Sequence, residues 1–244
     1  MNPIPVRALL FCIPVLLTAV GGCNSGGQRA LPMVQESAQR ALAREDYQLA
    51  ATEYREVVMR KPGYWQERFA YAKALLGAGK PAAAREQMEI VYTSKPNRFD
   101  VLDMLAKTML ASGDVESMAR VMKDEAYSRG GARDWLRYGW FMAQAGDADE
   151  AERALKRSAE IDRGQNAGPQ MALAELYRAA GDQSRAIERL RMAQYCEPKN
   201  EEVASALEAL GQDPNPRLAL VPSERGLPGL GKGEKPELKS ITVQ

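Results

Sequence analysis

The 244-residue sequence contains no histidine, and this absence excludes several kinds of chemistry. Histidine is the commonest general base near neutral pH, the usual partner of a nucleophilic serine or cysteine, and a frequent zinc ligand. No nucleophile motif or cluster of metal-ligating residues takes its place. We therefore expect a protein that is not an enzyme and needs no metal or cofactor.

Aromatic residues and cysteines are also scarce. Phe, Trp and Tyr make up only 7% of the chain, while alanine is abundant, and small side chains suit closely packed helices better than a β-rich fold. The three cysteines are Cys12, Cys23 and Cys196, the first two in or beside an N-terminal apolar segment. If that segment is processed, we expect no intramolecular disulfide. The composition thus favours an all-α fold.

The chain also lacks an excess of charge of either sign, since it has 33 Lys and Arg and 32 Asp and Glu. Such a balance, with basic residues dispersed among acids, does not predict nucleic-acid binding. The stretch Gly226 to Gly233 approaches a phosphate loop, but Gly233 stands where Ser or Thr would reach magnesium, and no strand precedes it. We expect no nucleotide to bind there.

The first 22 residues have the pattern of a secretory signal peptide. A short, mildly basic start is followed by the apolar run at 8–20 and by Gly21 and Gly22. A permanent transmembrane anchor is the weaker interpretation, because the run is shorter than the roughly 20 residues that span a bilayer and Pro14 interrupts it.

The residues Val20-Gly21-Gly22-Cys23 resemble the bacterial lipobox, an aliphatic residue and two small ones before the cysteine that becomes the mature N-terminus. The resemblance implies a diacylglyceryl thioether on Cys23 and anchoring in a bacterial membrane. The alternative is an ordinary signal peptide with an incidental cysteine. Residues 23–30 are then the lipidated N-terminus and a flexible tether. The residue after Cys23 is not Asp. This resembles the sorting signal of lipoproteins that are anchored in the outer membrane and face the periplasm.

Turn signals recur along the chain with a period of about 34 residues. They stand at positions 45, 79, 113, 146 and 181, which are separated by 34, 34, 33 and 35 residues. Each turn lies between two segments with the spacing of an amphipathic helix. The repeated unit is therefore predicted to be a helix hairpin, with helix A before the turn and helix B after it.

These units resemble the tetratricopeptide repeat (TPR) family. The fifth is the fullest match, with Ala174, Tyr177, Gly181-Asp182, Ala186 and Pro198, while the third departs from the pattern because Met118 replaces a small residue. The resemblance implies a right-handed α-α superhelix, or solenoid. Its five units are predicted at 31–64, 65–98, 99–131, 132–166 and 167–198.

Two further segments follow the repeats. Residues 199–211 resemble the solvating helix that covers the last hairpin of such a stack, with Asn200 placed to cap it. Residues 212–244 are rich in proline and glycine and are predicted to form a flexible tail. Within it, Leu218 to Val221 are apolar enough to dock back on the stack.

The resemblance places the binding surface on the helix A side chains that line the concave face of the stack. The register of the repeats assigns ten residues to that face: Phe69, Lys73, Asp103, Lys107, Arg133, Leu136, Trp140, Met171, Glu175 and Arg178. An exposed Trp140 is the strongest candidate for an anchor. The alternative is that Trp140 packs against an adjacent repeat, and that the charged residues are simply solvated.

The expected function is that of a membrane-anchored scaffold or adaptor, which binds a protein or extended peptide during assembly of an envelope complex. Chaperone C-termini are not the expected ligand, because the Lys and Asn pair of the carboxylate-clamp subtype is missing from helix A. The alternative function is an accessory subunit of an envelope enzyme, secretion or polysaccharide export system.

Overall fold

The computed structural model describes residues 28–226, and within that range the chain forms eleven α-helices and no β-strand. The helices are α1 Leu31–Ala43, α2 Tyr47–Arg60, α3 Trp65–Gly77, α4 Pro81–Ser94, α5 Phe99–Ala111, α6 Val115–Arg129, α7 Ala132–Gln144, α8 Ala148–Asp162, α9 Gly168–Ala179, α10 Gln183–Cys196 and α11 Glu201–Ala209. Each of the five predicted units contains one pair of helices. The expectation of an all-α stack of five hairpins with a capping helix is confirmed.

The turn inside each hairpin contains a left-handed residue, and in four of the five hairpins an aspartate that caps helix B follows it. Gly113 has φ of 80° and Gly146 has φ of 83°, a conformation that costs glycine little because it lacks a Cβ. The aspartate that follows Gly146 is Asp147, whose carboxylate accepts a hydrogen bond from the backbone N–H of Glu150 at 2.9 Å. The Gly-Asp signal in the sequence is thus both the end of helix A and the start of helix B.

Small residues allow the two helices of a hairpin to lie close together. Ala84, Ala151 and Ala186 on the helices B are completely buried, and Gly139 on α7 is buried against Leu155 of α8. In the third hairpin Met118 occupies the small-residue position and is also completely buried. The unbranched methionine side chain adapts to the space available, so the hairpin forms despite the departure from the repeat pattern.

The segment just before α1 is held in place, although it was predicted to belong to a flexible tether. Arg29 forms ion pairs with Glu53 at 2.7 Å and with Glu56 at 3.0 Å, and its carbonyl accepts a hydrogen bond from Arg60. Glu53 is only 6% exposed, and a carboxylate at such a site is costly without a cation beside it. This pairing joins residues 24 positions apart, so the local composition that predicts a tether at 23–30 gives no sign of it.

Residues 212–226, which were predicted to belong to a flexible tail, pack back on α9 and α10. Glu224 is 6% exposed and its carboxylate accepts hydrogen bonds from Arg189 at 2.6 Å and Gln170 at 3.1 Å. The Leu220 backbone N–H donates to the Arg191 carbonyl at 3.1 Å. The side chains at 218, 220 and 221 stay exposed. The docking is therefore carried by the backbone and the buried ion pair, not by the apolar run.

The remaining predictions fall on residues outside the described range. These are the signal peptide at 1–22, the lipidated Cys23, the first part of the tether and the tail beyond Gly226. Within 28–226, none of the helices combines the length and the apolar character that crossing a bilayer requires.

Candidate functional site

The helices A of successive hairpins lie side by side and present one common surface, which we call the helix A face. The Gln35 amide donates to Glu67 between α1 and α3 at 3.0 Å, and α3 contacts α5. Arg137 of α7 pairs with Asp103 of α5 at 2.5 Å, and α7 contacts α9. The ten residues assigned to the helix A face from the sequence therefore belong to adjoining helices.

Two rows of side chains follow this face from one hairpin to the next. The first row is half-buried and mostly apolar: Phe69, Asp103, Leu136 and Met171. The second row lies one helical turn further along each helix and is exposed: Lys73, Lys107, Trp140 and Glu175. Arg133 and Arg178 are also exposed. The arrangement is an apolar strip bordered by charged and aromatic side chains, as at many protein interfaces.

Trp140 is the largest exposed side chain in the second row. It retains 45% of its accessible surface, while one edge packs at 86° against the buried ring of Phe141 with the ring centroids 4.9 Å apart. Contact on one side fixes the orientation of the indole, and the rest of the ring stays open to a partner. A tryptophan held in this way loses little conformational freedom when it binds.

The charged members of the face differ in whether they have partners. Asp103 is paired with Arg137, and Glu175 is paired with Arg178 at 2.5 Å. The paired guanidinium of Arg178 holds the pKa of Glu175 below its usual value. By contrast, Lys73 and Lys107 form no ion pair within residues 28–226. The unpaired charge in the centre of the face is therefore positive.

Sequence reasoning missed Arg137 and Phe99, which connect the third and fourth hairpins. The Arg137 side chain is 12% exposed, donates to the Phe99 carbonyl at 2.6 Å and lies with its guanidinium carbon 4.5 Å from the centre of the Phe99 ring. Arg129 and Arg133 contact the same ring at 4.7 and 4.8 Å. The signals were present: Arg137 follows Arg133 by one helical turn, and Phe99 follows Trp65 by one repeat.

The described residues contain no assembled metal centre. No group of three or more Cys, Asp or Glu side chains in 28–226 is placed to hold a metal ion. The Cys196 thiol donates to the Gly164 carbonyl at 3.4 Å, and burial raises its pKa to about 11. Because the thiolate is the reactive form, this cysteine is a structural thiol.

Comparison with known proteins agrees with this architecture. Residues 142–210 match the tetratricopeptide repeat family, and none of the curated proteins matches the chain. Among solved structures, MamA from Desulfovibrio magneticus RS-1, starting at its residue 41, is 15% identical with a TM-score of 0.51, covering 70% of this chain and 97% of that one. A further MamA crystal structure is 15% identical with a TM-score of 0.50, covering 70% and 94%.

TTC0263, a thermophilic TPR protein of Thermus thermophilus, is 21% identical with a TM-score of 0.49, covering 74% of this chain and 98% of that one. The two MamA comparisons show the fold of this chain, and the family match places TPR sequence in its C-terminal hairpins. The fold is therefore a helical solenoid of the kind seen in these proteins, and residues 142–210 carry the tetratricopeptide repeat pattern. A solenoid of this kind provides an extended surface for binding other proteins.

Proposed function

We propose that this protein is a scaffold that binds a segment of another protein along the helix A face, and that it is held at a bacterial membrane by lipid on Cys23. The observation that carries the scaffold proposal is Trp140, which is half exposed on a TPR solenoid and fixed on one side by Phe141. A large aromatic side chain with a fixed orientation is the usual centre of a protein interface. The half-buried apolar row beside it extends the contact surface over several hairpins.

The membrane part of the proposal is supported by the lipobox resemblance of Val20 to Cys23. A lipid on Cys23 would tether the first hairpin to the membrane through the residues that precede Arg29. The outer membrane, with the repeats facing the periplasm, is the location that the residue after Cys23 favours. Assembly of an envelope complex is the corresponding role, because a tethered solenoid raises the local concentration of its partner near the membrane.

Crosslinking in intact cell envelopes tests the scaffold. We expect that wild-type protein crosslinks one or a few defined partners, and that Trp140→Ala and Arg133→Glu reduce the yield at least tenfold. Ile90→Ala is the matched control, because Ile90 is 50% exposed but lies on the helix B α4. Partner yields that are equal in all four proteins would refute binding at the helix A face.

Metabolic labelling with radioactive palmitate tests the anchor separately. We expect the wild-type chain to incorporate label and to fractionate with membranes, and Cys23→Ala to do neither. A Cys23→Ala protein that still carries label would refute lipidation at that cysteine. This outcome would leave the binding proposal intact, since the ten residues assigned to the helix A face lie on α3, α5, α7 and α9.

A further inference from the structure

The helix A face carries positive charge that the rest of the protein does not neutralise. Three exposed cations on its second to fourth hairpins, Lys73, Lys107 and Arg133, form no ion pair with any carboxylate in residues 28–226. Arg133 instead lies against the Phe99 ring, with its guanidinium carbon 4.8 Å from the ring centre. A cation left without a counterion on a binding surface favours a ligand of opposite charge.

The two carboxylates among the ten residues of the helix A face, Asp103 and Glu175, are already paired. Asp100 is paired with Arg98 at 2.8 Å and its pKa is lowered by that contact, while Asp103 is paired with Arg137 at 2.5 Å. In the fifth hairpin, Glu175 is held by Arg178. A basic ligand would have to break these pairs before it could use the carboxylates. An acidic ligand can pair with the unpaired lysines without breaking any existing ion pair.

The spacing of the repeats sets the spacing of the ligand's charges. Lys73 and Lys107 are one repeat apart and occupy the same position on α3 and α5, and Trp140 occupies that position on α7. Packed helices lie about 10 Å apart, and an extended peptide advances about 3.3 Å per residue. One hairpin therefore corresponds to about three residues of ligand.

We propose that the helix A face selects an extended acidic protein segment in which two carboxylates, about three residues apart, are followed at the same interval by an aromatic or aliphatic residue. The carboxylates pair with Lys73 and Lys107, and the apolar residue packs on Trp140. The half-buried Phe69 and Leu136 contact the backbone and apolar parts of the segment. This proposal rests on the scaffold function proposed above and specifies the chemistry of the partner.

Fluorescence anisotropy with a labelled synthetic peptide tests this specificity. The probe contains two glutamates and a phenylalanine, and two glycines or serines separate each of these residues from the next. Three companion peptides serve as comparisons. In the first both glutamates are replaced by glutamine, in the second both are replaced by lysine, and in the third the phenylalanine is replaced by alanine. We expect the glutamate peptide to bind most tightly, and its binding to weaken as the salt concentration is raised. The lysine peptide should bind at least tenfold more weakly.

Charge variants of the protein complete the test. Lys73→Gln combined with Lys107→Gln should weaken the binding of the glutamate peptide by roughly fivefold, as expected for the loss of two solvent-exposed ion pairs. The charge reversal Lys73→Glu with Lys107→Glu should make the lysine peptide the better ligand. Arg120→Gln is the matched control, because Arg120 is exposed and unpaired within the described residues but lies on the helix B α6.

The outcomes separate this proposal from the scaffold function. If glutamate and glutamine peptides bind equally, or if no peptide binds, acidic selectivity is refuted. Crosslinking of a cellular partner that still depends on Trp140 would then leave the scaffold function standing. If single-stranded DNA competes with the glutamate peptide at equal concentration, the lysines recognise negative charge alone, and selection of a protein segment is refuted.

Discussion

Gly139 provides a direct test of how the hairpins are packed. The residue lies on α7, and a Cβ at this position would come within 2.7 Å of the Leu155 Cγ and Cδ2 atoms and 3.1 Å of the Leu155 backbone nitrogen. The close atoms include backbone and a branch point, so rotation of a flexible side-chain tip cannot relieve the contact. We therefore expect that Gly139→Ala forces α7 and α8 apart.

The size of the effect follows from two opposing terms. Alanine in a helix interior stabilises by about 1 kcal/mol relative to glycine. Overpacking in a close-packed interior costs about 1 to 3 kcal/mol, and a clash with backbone belongs in the upper half of that range. Gly139→Ala should therefore lower the free energy of unfolding by about 1 to 2 kcal/mol.

Urea unfolding followed by circular dichroism measures this change, with Gly63→Ala as the control. Gly63 lies in the turn between α2 and α3, and a Cβ there would meet no heavy atom beyond its chain neighbours within 4 Å. This substitution should stabilise by about 0.5 kcal/mol through the unfolded chain. Leu155→Ala should be less damaging in the Gly139→Ala background than alone. A Gly139→Ala protein as stable as the Gly63→Ala control would refute the close approach.

Three further predictions concern polar groups that are buried or half-buried. Hydrogen bonds from Tyr138, Lys123 and Arg153 lower the pKa of Glu150 from 4.5 to about 2. The stability that Glu150 contributes is therefore present above pH 4.5 and is lost as the pH falls toward 2. Glu150→Gln should cost about 1 to 2 kcal/mol at pH 7 and flatten the pH dependence of urea unfolding in that window; an unchanged slope would contradict this. Glu224→Ala should leave Arg189 without its partner and speed proteolysis within 212–226 while the melting temperature of the hairpins changes little; equal cleavage rates would show that the ion pair does not hold the segment. The Cys196 thiol should react with a disulfide reagent at pH 8 roughly 100-fold more slowly than an exposed cysteine, measured after the two N-terminal cysteines have been replaced by serine, and a rate typical of free cysteine would contradict its burial.

The repeats were predictable because their signals are local. The Gly-Asp pairs determine both a left-handed turn and a helix cap within two residues, and small residues such as Ala84 and Ala186 recur at fixed distances from them. Even the irregular third hairpin was visible in Met118. Periodicity of this kind assigns each residue to helix A or helix B without knowledge of the tertiary structure.

The long-range pairings were not predictable in the same way. Arg137 and Asp103 are 34 residues apart, and Gln170 and Glu224 are 54 residues apart. A pattern of hydrophobic spacing gives the face of a helix on which such residues lie, but not the partner that each one finds. The sequence therefore predicted the ten residues of the helix A face as a surface, and could not show that Asp103 is neutralised while Lys107 is free.

The docked segment at 212–226 has a consequence for how this protein could change in evolution. Together with α11 it covers the last hairpin, and Arg189 and Gln170 are committed to Glu224. A sixth hairpin inserted after Pro198 would have to displace the segment and leave the half-buried Arg189 without its carboxylate. Lengthening of the array by duplication is therefore favoured within the first four hairpins, where each new unit meets neighbours shaped like itself.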